Sequence, residues 1–265
     1  MNDRESQSDQ RDLFDLLKNV AATAGERLCE LGREGRLQHQ FDETLAREIK
    51  AEADQIIESH ILSHLKEVGL PIISEETGSV EGKFETDLGI VIDPIDGTAN
   101  FIRGLGQSAV SIGLLKNERP IFGVLALYPS GELAWGGAEV GAFIDNKPIR
   151  VSKESRKDRG VLCTGIPARF DMSDLCERNW LTGLLADFAK IRMFGAASVS
   201  LLCVAKGSAE IYAEREVMIW DVAAGLAIVL GAGGSVSLEE GGAKHSWNVI
   251  AHNGHFSLAA DEGKA

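Results

Sequence analysis

The sequence predicts a layered α/β fold on three observations. Helical periodicity dominates about the first 70 residues, short β-rich pieces separated by turn residues fill the middle, and strands alternate with helices after about residue 150. Each such element must bury a face, so helices interleaved with strands imply layers of both. No Pro/Ser-rich linker, internal repeat or low-complexity segment interrupts the chain, which is expected to form one domain over 1–265. Its α+β half would run to about residue 150 and its α/β half over 151–265.

The first helix is read from Leu13, Phe14, Leu16, Leu17, Val20, Ala21, Ala24 and Leu28, one apolar stripe ending near Gly32. A second is expected over 43–68, carried by Ile49, Ala53, Ile56, Ile57, Leu62 and Leu65 and stopped by Gly69-Leu70-Pro71. Strands follow. Ile72-Ile73-Ser74 ends in Glu75 and Glu76, and Leu88-Gly89-Ile90-Val91-Ile92 is too short and too β-branched for a helix. Pro94 has no N–H for a ladder and holds its predecessor extended, so this strand is expected to stop at Asp93. Segments 109–115, 121–127, 132–136 and 142–144, parted by turn residues, read as an antiparallel meander. After it come a strand near 160–163, a helix over 173–189, a strand at 191–194, a helix over 198–206, a strand at 209–212, a helix opened by Asp221, and strands near Ser235 and Val249.

The chain has 265 residues and a formal charge of −13, which argues against nucleic acid or an anionic membrane as partner. Its 4 cysteines have neither the density nor the spacing of a disulfide framework or a zinc site. No run approaches the ~18 apolar residues of a membrane span, and the N-terminal stretch lacks the apolar core of a signal peptide. The expectation is a soluble cytoplasmic protein.

The chemistry concentrates in Asp93-Pro94-Ile95-Asp96-Gly97-Thr98-Ala99-Asn100-Phe101, two carboxylates and a tight turn between a strand end and a helix start. Asp-Pro and Asp-Gly are also common turn spellings, so this run alone is ambiguous. Glu75–Glu76 and Trp220-Asp221 add two further acid sites at element boundaries. If Glu76, Asp93, Asp96 and Asp221 converge, each pair of charges about 4 Å apart costs roughly 4 kcal/mol at an effective dielectric near 20. Protonation or cations must relieve that repulsion. With no histidine or cysteine in these motifs, an all-oxygen shell selects a hard divalent ion such as Mg²⁺. Two such ions could clamp both oxygens of a phosphoryl transfer. Bound metal would also reverse the local field for an anionic substrate.

On Glu75–Glu76, the run from Asp93 to Phe101, and Trp220-Asp221-Val222-Ala223-Ala224-Gly225, the chain resembles the inositol monophosphatase family of Mg²⁺-dependent, lithium-sensitive phosphatases. The resemblance implies an αβαβα sandwich of the inositol monophosphatase/fructose-bisphosphatase type, a homodimer, and two or three Mg²⁺ ions per site. Carried over, Glu76, Asp93 and the Ile95 carbonyl would hold one ion, and Asp93, Asp96 and Asp221 another. Thr98 with Glu76 would position and activate water, with Asp54 supporting the threonine hydroxyl; Asp54 also fits a solvated helix residue. Asp96, Gly97, Thr98 and Asp221 would meet the phosphate, and Ala197 and Glu214 the alcohol portion, although Glu214 also fits a plain charge cluster. The stretch 33–50 corresponds to the family's mobile loop, with Lys50 as a nearby candidate. Ala196 and Met218 depart from the hydroxyl and polar residues common there. The substrate implied is an inositol-1-phosphate-like polyol or sugar phosphate. A 3′(2′),5′-bisphosphonucleotide, fructose 1,6-bisphosphate and histidinol phosphate are the alternatives within the superfamily, and a metal-binding regulatory module is the alternative outside catalysis.

Overall fold

The computed structural model describes residues 3–34, 39–41, 49–80 and 87–255. The chain opens with α1 (Asp3–Glu34), then β1 (His39–Phe41), β2 (Ile49–Ala51) and α2 (Glu52–Leu65). Next come β3 (Ile72–Ser74), β4 (Gly78–Val80), β5 (Leu88–Asp96) and α3 (Thr98–Arg103). The meander follows as β6 (Ser108–Lys116), β7 (Arg119–Tyr128), β8 (Leu133–Gly137), β9 (Gly141–Ile144) and β10 (Lys147–Pro148). The rest is β11 (Val161–Cys163), α4 (Leu175–Asp187), β12 (Lys190–Arg192), α5 (Ala197–Ala205), β13 (Ile211–Met218), α6 (Ile219–Gly231), β14 (Ser235–Glu240) and β15 (Ser246–His252).

These build five layers. The larger sheet has order β10-β9-β8-β7-β6-β5-β3-β4, antiparallel except where β3 runs parallel to β5. The smaller has order β12-β11-β13-β15-β14, with β11 parallel to both neighbours. On the outer face of the large sheet, α1 and α2 bury Phe14, Leu17, Val20, Ala24, Leu28, Ile57 and Ile61 against Ile112, Phe122 and Val124. Helices α5 and α6 fill the space between the sheets, and α4 covers the far face of the small sheet through Leu184 and Phe188. Among the described residues no helix is long and apolar enough to cross a membrane.

Two expectations need correction. The second helix starts at Glu52, not near residue 43: Ile49–Ala51 pairs with β1, and Ala51 is extended, its N–H donating to Asp54 Oδ2 at 2.8 Å. That carboxylate terminates the helix at its N-end by holding the backbone there. Residues 42–48, and most of the stretch 33–50 read as a mobile loop, lie outside the described residues. The second correction concerns β5, which runs through Pro94 to Asp96. Its partner register passes from Asp93↔Ser111 to Asp96↔Ala109, so a bulge absorbs one extra residue and the missing proline N–H costs no ladder bond.

Helix α6 lies unusually close to the large sheet. A Cβ on Gly123 of β7 would sit 2.1 Å from the Ala224 carbonyl oxygen, and one on Gly113 of β6 would sit 2.8 Å from the Ala223 Cβ. Small residues on both surfaces permit this approach, which brings the first turn of α6, and Asp221 with it, to the cleft at the end of β5.

Candidate active site

The end of β5, the turns after β3 and β11, and the first turn of α6 surround a cleft of about 370 Å³. Its lining includes Glu75, Asp93, Asp96 and Asp221, with Ile95, Gly97 and Thr98. Glu75, Asp93, Asp96 and Asp221 come from three separated segments and act on one another's charge, and Glu216 of β13 lines the cleft as a fifth acid. Glu76, the acid singled out in the sequence, is not in the lining; Glu75 is. The ladder explains this. β3 and β5 pair Ser74↔Ile92, and Glu75 N–H extends the pattern by donating to Ile92 O at 3.2 Å. The next residues along, Glu75 and Asp93, are thus cross-strand neighbours, and Glu76 lies one residue further into the turn, where its charge acts on Asp54 and Glu75. Counting register from Ile72 and Ile90 is the sequence signal that separates the two.

The bulge turns Asp93 inward, where its Oδ1 accepts the Ile95 N–H at 2.9 Å. Asp96 accepts from Ala197 N at 3.3 Å, Ser198 N at 2.6 Å and Ser198 Oγ. It therefore caps α5, whose own N-cap position holds Ala196 and has no capping side chain. Gly97 has φ 86, left-handed backbone that lets the chain turn into α3 while Ser108 Oγ donates to its carbonyl. Thr98 Oγ1 has two acceptors for one proton, Ile95 O at 3.0 Å and Asp54 Oδ1 at 3.2 Å. Asp54 is buried on α2, not solvated. Asp221 sits at the third position of α6, and its Oδ2 accepts the Met218 N–H at 3.3 Å.

Electrostatics record the crowding. Burial, then the Asp221 and Asp54 charges, push Glu75 well above the usual carboxylate range. Burial with Glu75, Asp96 and Asp221 does the same to Asp93, and burial with Asp96 and Glu214 to Asp221. Glu75, Asp93 and Asp221 act on one another's titration, so without a cation these carboxyls favour their protonated forms. Burial raises Asp96 to about 6 despite its three N–H and O–H donors, and raises Asp54 to about 7.

The alcohol-side residues fare differently. Ala197 contributes its N–H to Asp96 and lies behind the wall. Glu214 is buried, raised to about 8 by burial and then by Asp96, and does not line the cleft. A Cβ on Gly165 would stand 2.5 Å from Glu214 Oε1, so that glycine makes room for the carboxyl. The Tyr212 hydroxyl, on the same face of β13, lies against it without a well-aligned hydrogen bond. Met218 and Trp220 do reach the cleft, and Trp220 also packs with Val91, Leu115, Ile219 and Ala223.

The sequence reading missed Arg169, a half-buried guanidinium that lines the cleft, in the turn after β11. Its signal was a lone cation just beyond a strand's C-terminal end. The donor set fits a hard divalent cation: carboxylates plus the Ile95 carbonyl, with no histidine or cysteine in the lining. Among the described residues no three acidic side chains are clustered tightly enough to hold an ion by themselves, so backbone or water oxygens would complete any shell.

The chain matches the model of the inositol monophosphatase family over residues 9–263. It is 33% identical over 239 residues to an inositol-1-monophosphatase of Synechocystis sp., covering 88% of this chain and 80% of that one. It is 38% identical over 168 residues to a fructose-1,6-bisphosphatase/inositol-1-monophosphatase of Aquifex aeolicus, 63% of this chain and 62% of that one. The crystal structure of the extragenic suppressor protein suhB from Bartonella henselae superposes with a TM-score of 0.80 at 29% identity, over 92% of this chain and 95% of that one.

Proposed function

The chain belongs to the inositol monophosphatase family and is a phosphoric monoester hydrolase, and we propose that it hydrolyses a small polyol or sugar phosphate of the inositol-1-phosphate type with Mg²⁺. The observation that carries this reading is the convergence of Glu75, Asp93, Asp96 and Asp221 on one cleft, their carboxyl groups pushed upward by burial and, for Glu75, Asp93 and Asp221, by neighbouring charge. Glu75, Asp93 and the Ile95 carbonyl would hold one Mg²⁺, and Asp93, Asp96 and Asp221 a second; Glu75 takes the place the sequence reading gave to Glu76. Bound Mg²⁺ would neutralise the phosphoryl oxygens and lower the pKa of water. Thr98 Oγ1, its proton given to Asp54 Oδ1 or Ile95 O, keeps lone pairs to orient the attacking water. Asp54, held near neutral pH, can take the water's proton through that hydroxyl. Gly97 and Thr98 present backbone to the phosphate, while Glu214, one layer back, shapes the wall on the alcohol side.

A second reading, a bisphosphorylated sugar, draws on Arg169. The guanidinium lines the cleft and could take a second anionic group, and the Aquifex relative's name includes fructose-1,6-bisphosphatase. Phosphate release from inositol 1-phosphate, fructose 1,6-bisphosphate, a 3′,5′-bisphosphonucleotide and histidinol phosphate, each with Mg²⁺ or EDTA, separates the readings. A kcat/KM at least about tenfold higher for inositol 1-phosphate supports the first, and Mg²⁺-independent release would overturn both. We also assign a homodimer to the exposed apolar side chains Leu105, Ile166, Met172, Leu175 and Met193, testable by light scattering. The four cysteines are free, in keeping with a reducing cytoplasm.

A further inference from the structure

Glu58 is buried on α2, one turn beyond Asp54 and on the same helix face, yet it lines no part of the cleft. Both of its carboxyl oxygens serve the turn that follows β3. Oε1 accepts from Ser74 Oγ and from Thr77 N at 3.0 Å, and Oε2 accepts from Thr77 Oγ1. These donors bracket Glu75: Ser74 precedes it and Thr77 follows two residues later. On its other side, Glu75 is tied to β5 by its N–H to Ile92 O. A burial this deep for an acid needs compensation, and here all of it comes from one four-residue segment.

We propose that Glu58 is a positioning residue for the metal site: it clamps the 74–77 turn so that the Glu75 carboxylate stands beside Asp93. Because Asp54 lies on the same helix and accepts from Thr98, α2 also sets the distance between the Glu75 ligand and the hydroxyl that orients water. A single rigid turn of helix therefore registers two parts of the site that come from different strands. The inference rests on the reading of Glu75 as a ligand for a divalent cation. Its consequence is specific. Releasing the clamp leaves Glu75 present but free to swing, so cation affinity falls while the chemistry at saturating cation is largely kept.

The test is direct binding of Mn²⁺ alone, followed by the paramagnetic signal of the free ion, to wild type, Glu58→Ala, Glu58→Gln, Thr77→Val and Glu75→Gln. Loss of a residue that orients a metal ligand typically costs 10–100-fold in affinity. Glu58→Ala is expected to weaken Mn²⁺ binding by about tenfold or more, with a parallel rise in the Mg²⁺ concentration for half-maximal rate and less than about a threefold change in saturated kcat. Glutamine can accept at one atom and donate to Thr77 Oγ1 at the other, so Glu58→Gln should restore most of the affinity. Thr77→Val, at an exposed position that leaves the core intact, removes only the Oε2 bond and should show an intermediate loss; it carries the test if Glu58→Ala does not fold. Unchanged Mn²⁺ affinity in Thr77→Val and Glu58→Ala, with a clear loss in Glu75→Gln, overturns the role of Glu58 alone. Unchanged affinity in Glu75→Gln overturns the metal reading beneath it.

Discussion

Asp93 is buried among the charges of Glu75, Asp96 and Asp221, and no carboxyl at that position can ionise without acting on these neighbours. Such a side chain would help to hold divalent cations, whose positive charge would relieve the crowding. The distinction between adjacent glutamates follows from strand geometry and is open to measurement. Glu75→Gln is expected to lower kcat/KM for inositol 1-phosphate by about 100-fold or more, the loss of a group worth several kcal/mol, whereas Glu76→Gln should cost less than about tenfold. Parallel phosphate-release assays decide it, and equal losses would return Glu76 to the site. Asp96 carries two duties, since it also caps α5 through Ala197 and Ser198. Asp96→Asn keeps one acceptor oxygen for that cap, so we expect hydrolysis to fall by about 100-fold or more while the melting temperature of the metal-free protein moves by only about 2–4 °C, the shift that corresponds to about 1 kcal/mol. A far larger thermal loss would mean that the cap, not the chemistry, is its main work.

At the scale of elements, the close approach of α6 to β6 and β7 is what delivers Asp221 to the cleft. Gly123→Ala places a methyl within 2.1 Å of the Ala224 carbonyl oxygen, so the helix must move or the strand bend. Overpacking of this kind costs about 1–3 kcal/mol, and because the displaced helix carries a site acid, Mg²⁺ affinity should fall together with stability. Thermal melting and the Mg²⁺ dependence of the rate, measured on the same variant, check the coupling; a drop in stability with unaltered Mg²⁺ dependence would separate helix position from site geometry. The α1 stripe was legible in the sequence because burial on one face imposes a 3.6-residue period, and the meander from β6 to β9 because turn residues part its β-rich runs. Less could be read where a local signal was overruled. Pro94 spelled the end of a strand, but a bulge let β5 continue. Ile49 fitted the α2 period, but Asp54 turns back on the Ala51 N–H and starts the helix later. Glu75 and Glu76 were indistinguishable as types, and only the pairing register with β5 separates them. Arg169 and Glu58 left no motif at all, since their significance depends on which distant turn they meet.

For the molecule as a whole, two sheets and the helices between them gather acids from widely separated segments into one cleft of a chain already at −13. Stability should therefore depend on pH in an unusual direction. Asp96 at about 6, Asp54 at about 7 and Glu214 at about 8 all lie above their ordinary values near 4, so the folded chain binds protons that the unfolded chain releases. Where the native state holds more protons, unfolding free energy falls with rising pH. The contribution is complete below about pH 4 and is lost as pH climbs through about 6 to 8. In EDTA the melting temperature is expected to decline from pH 5 to pH 8, and Mg²⁺ should reverse the decline by binding the ionised form; a metal-free protein that gains stability over this range would contradict the cluster's electrostatics. Li⁺ at millimolar concentration is expected to inhibit at saturating substrate, as the family resemblance implies, and steady-state kinetics would reveal it. If the converging carboxylates support phosphate monoester hydrolysis by binding divalent cations, titrating Mg²⁺ into EDTA-treated enzyme with inositol 1-phosphate should show it, with phosphate release followed in wild type and Glu75→Gln. No release is expected without Mg²⁺, a saturable rise in wild type, and a rise in the variant that is weaker and shifted to higher Mg²⁺. Release that persists in EDTA, or that Glu75→Gln leaves unchanged across the titration, would contradict that role of the carboxylates.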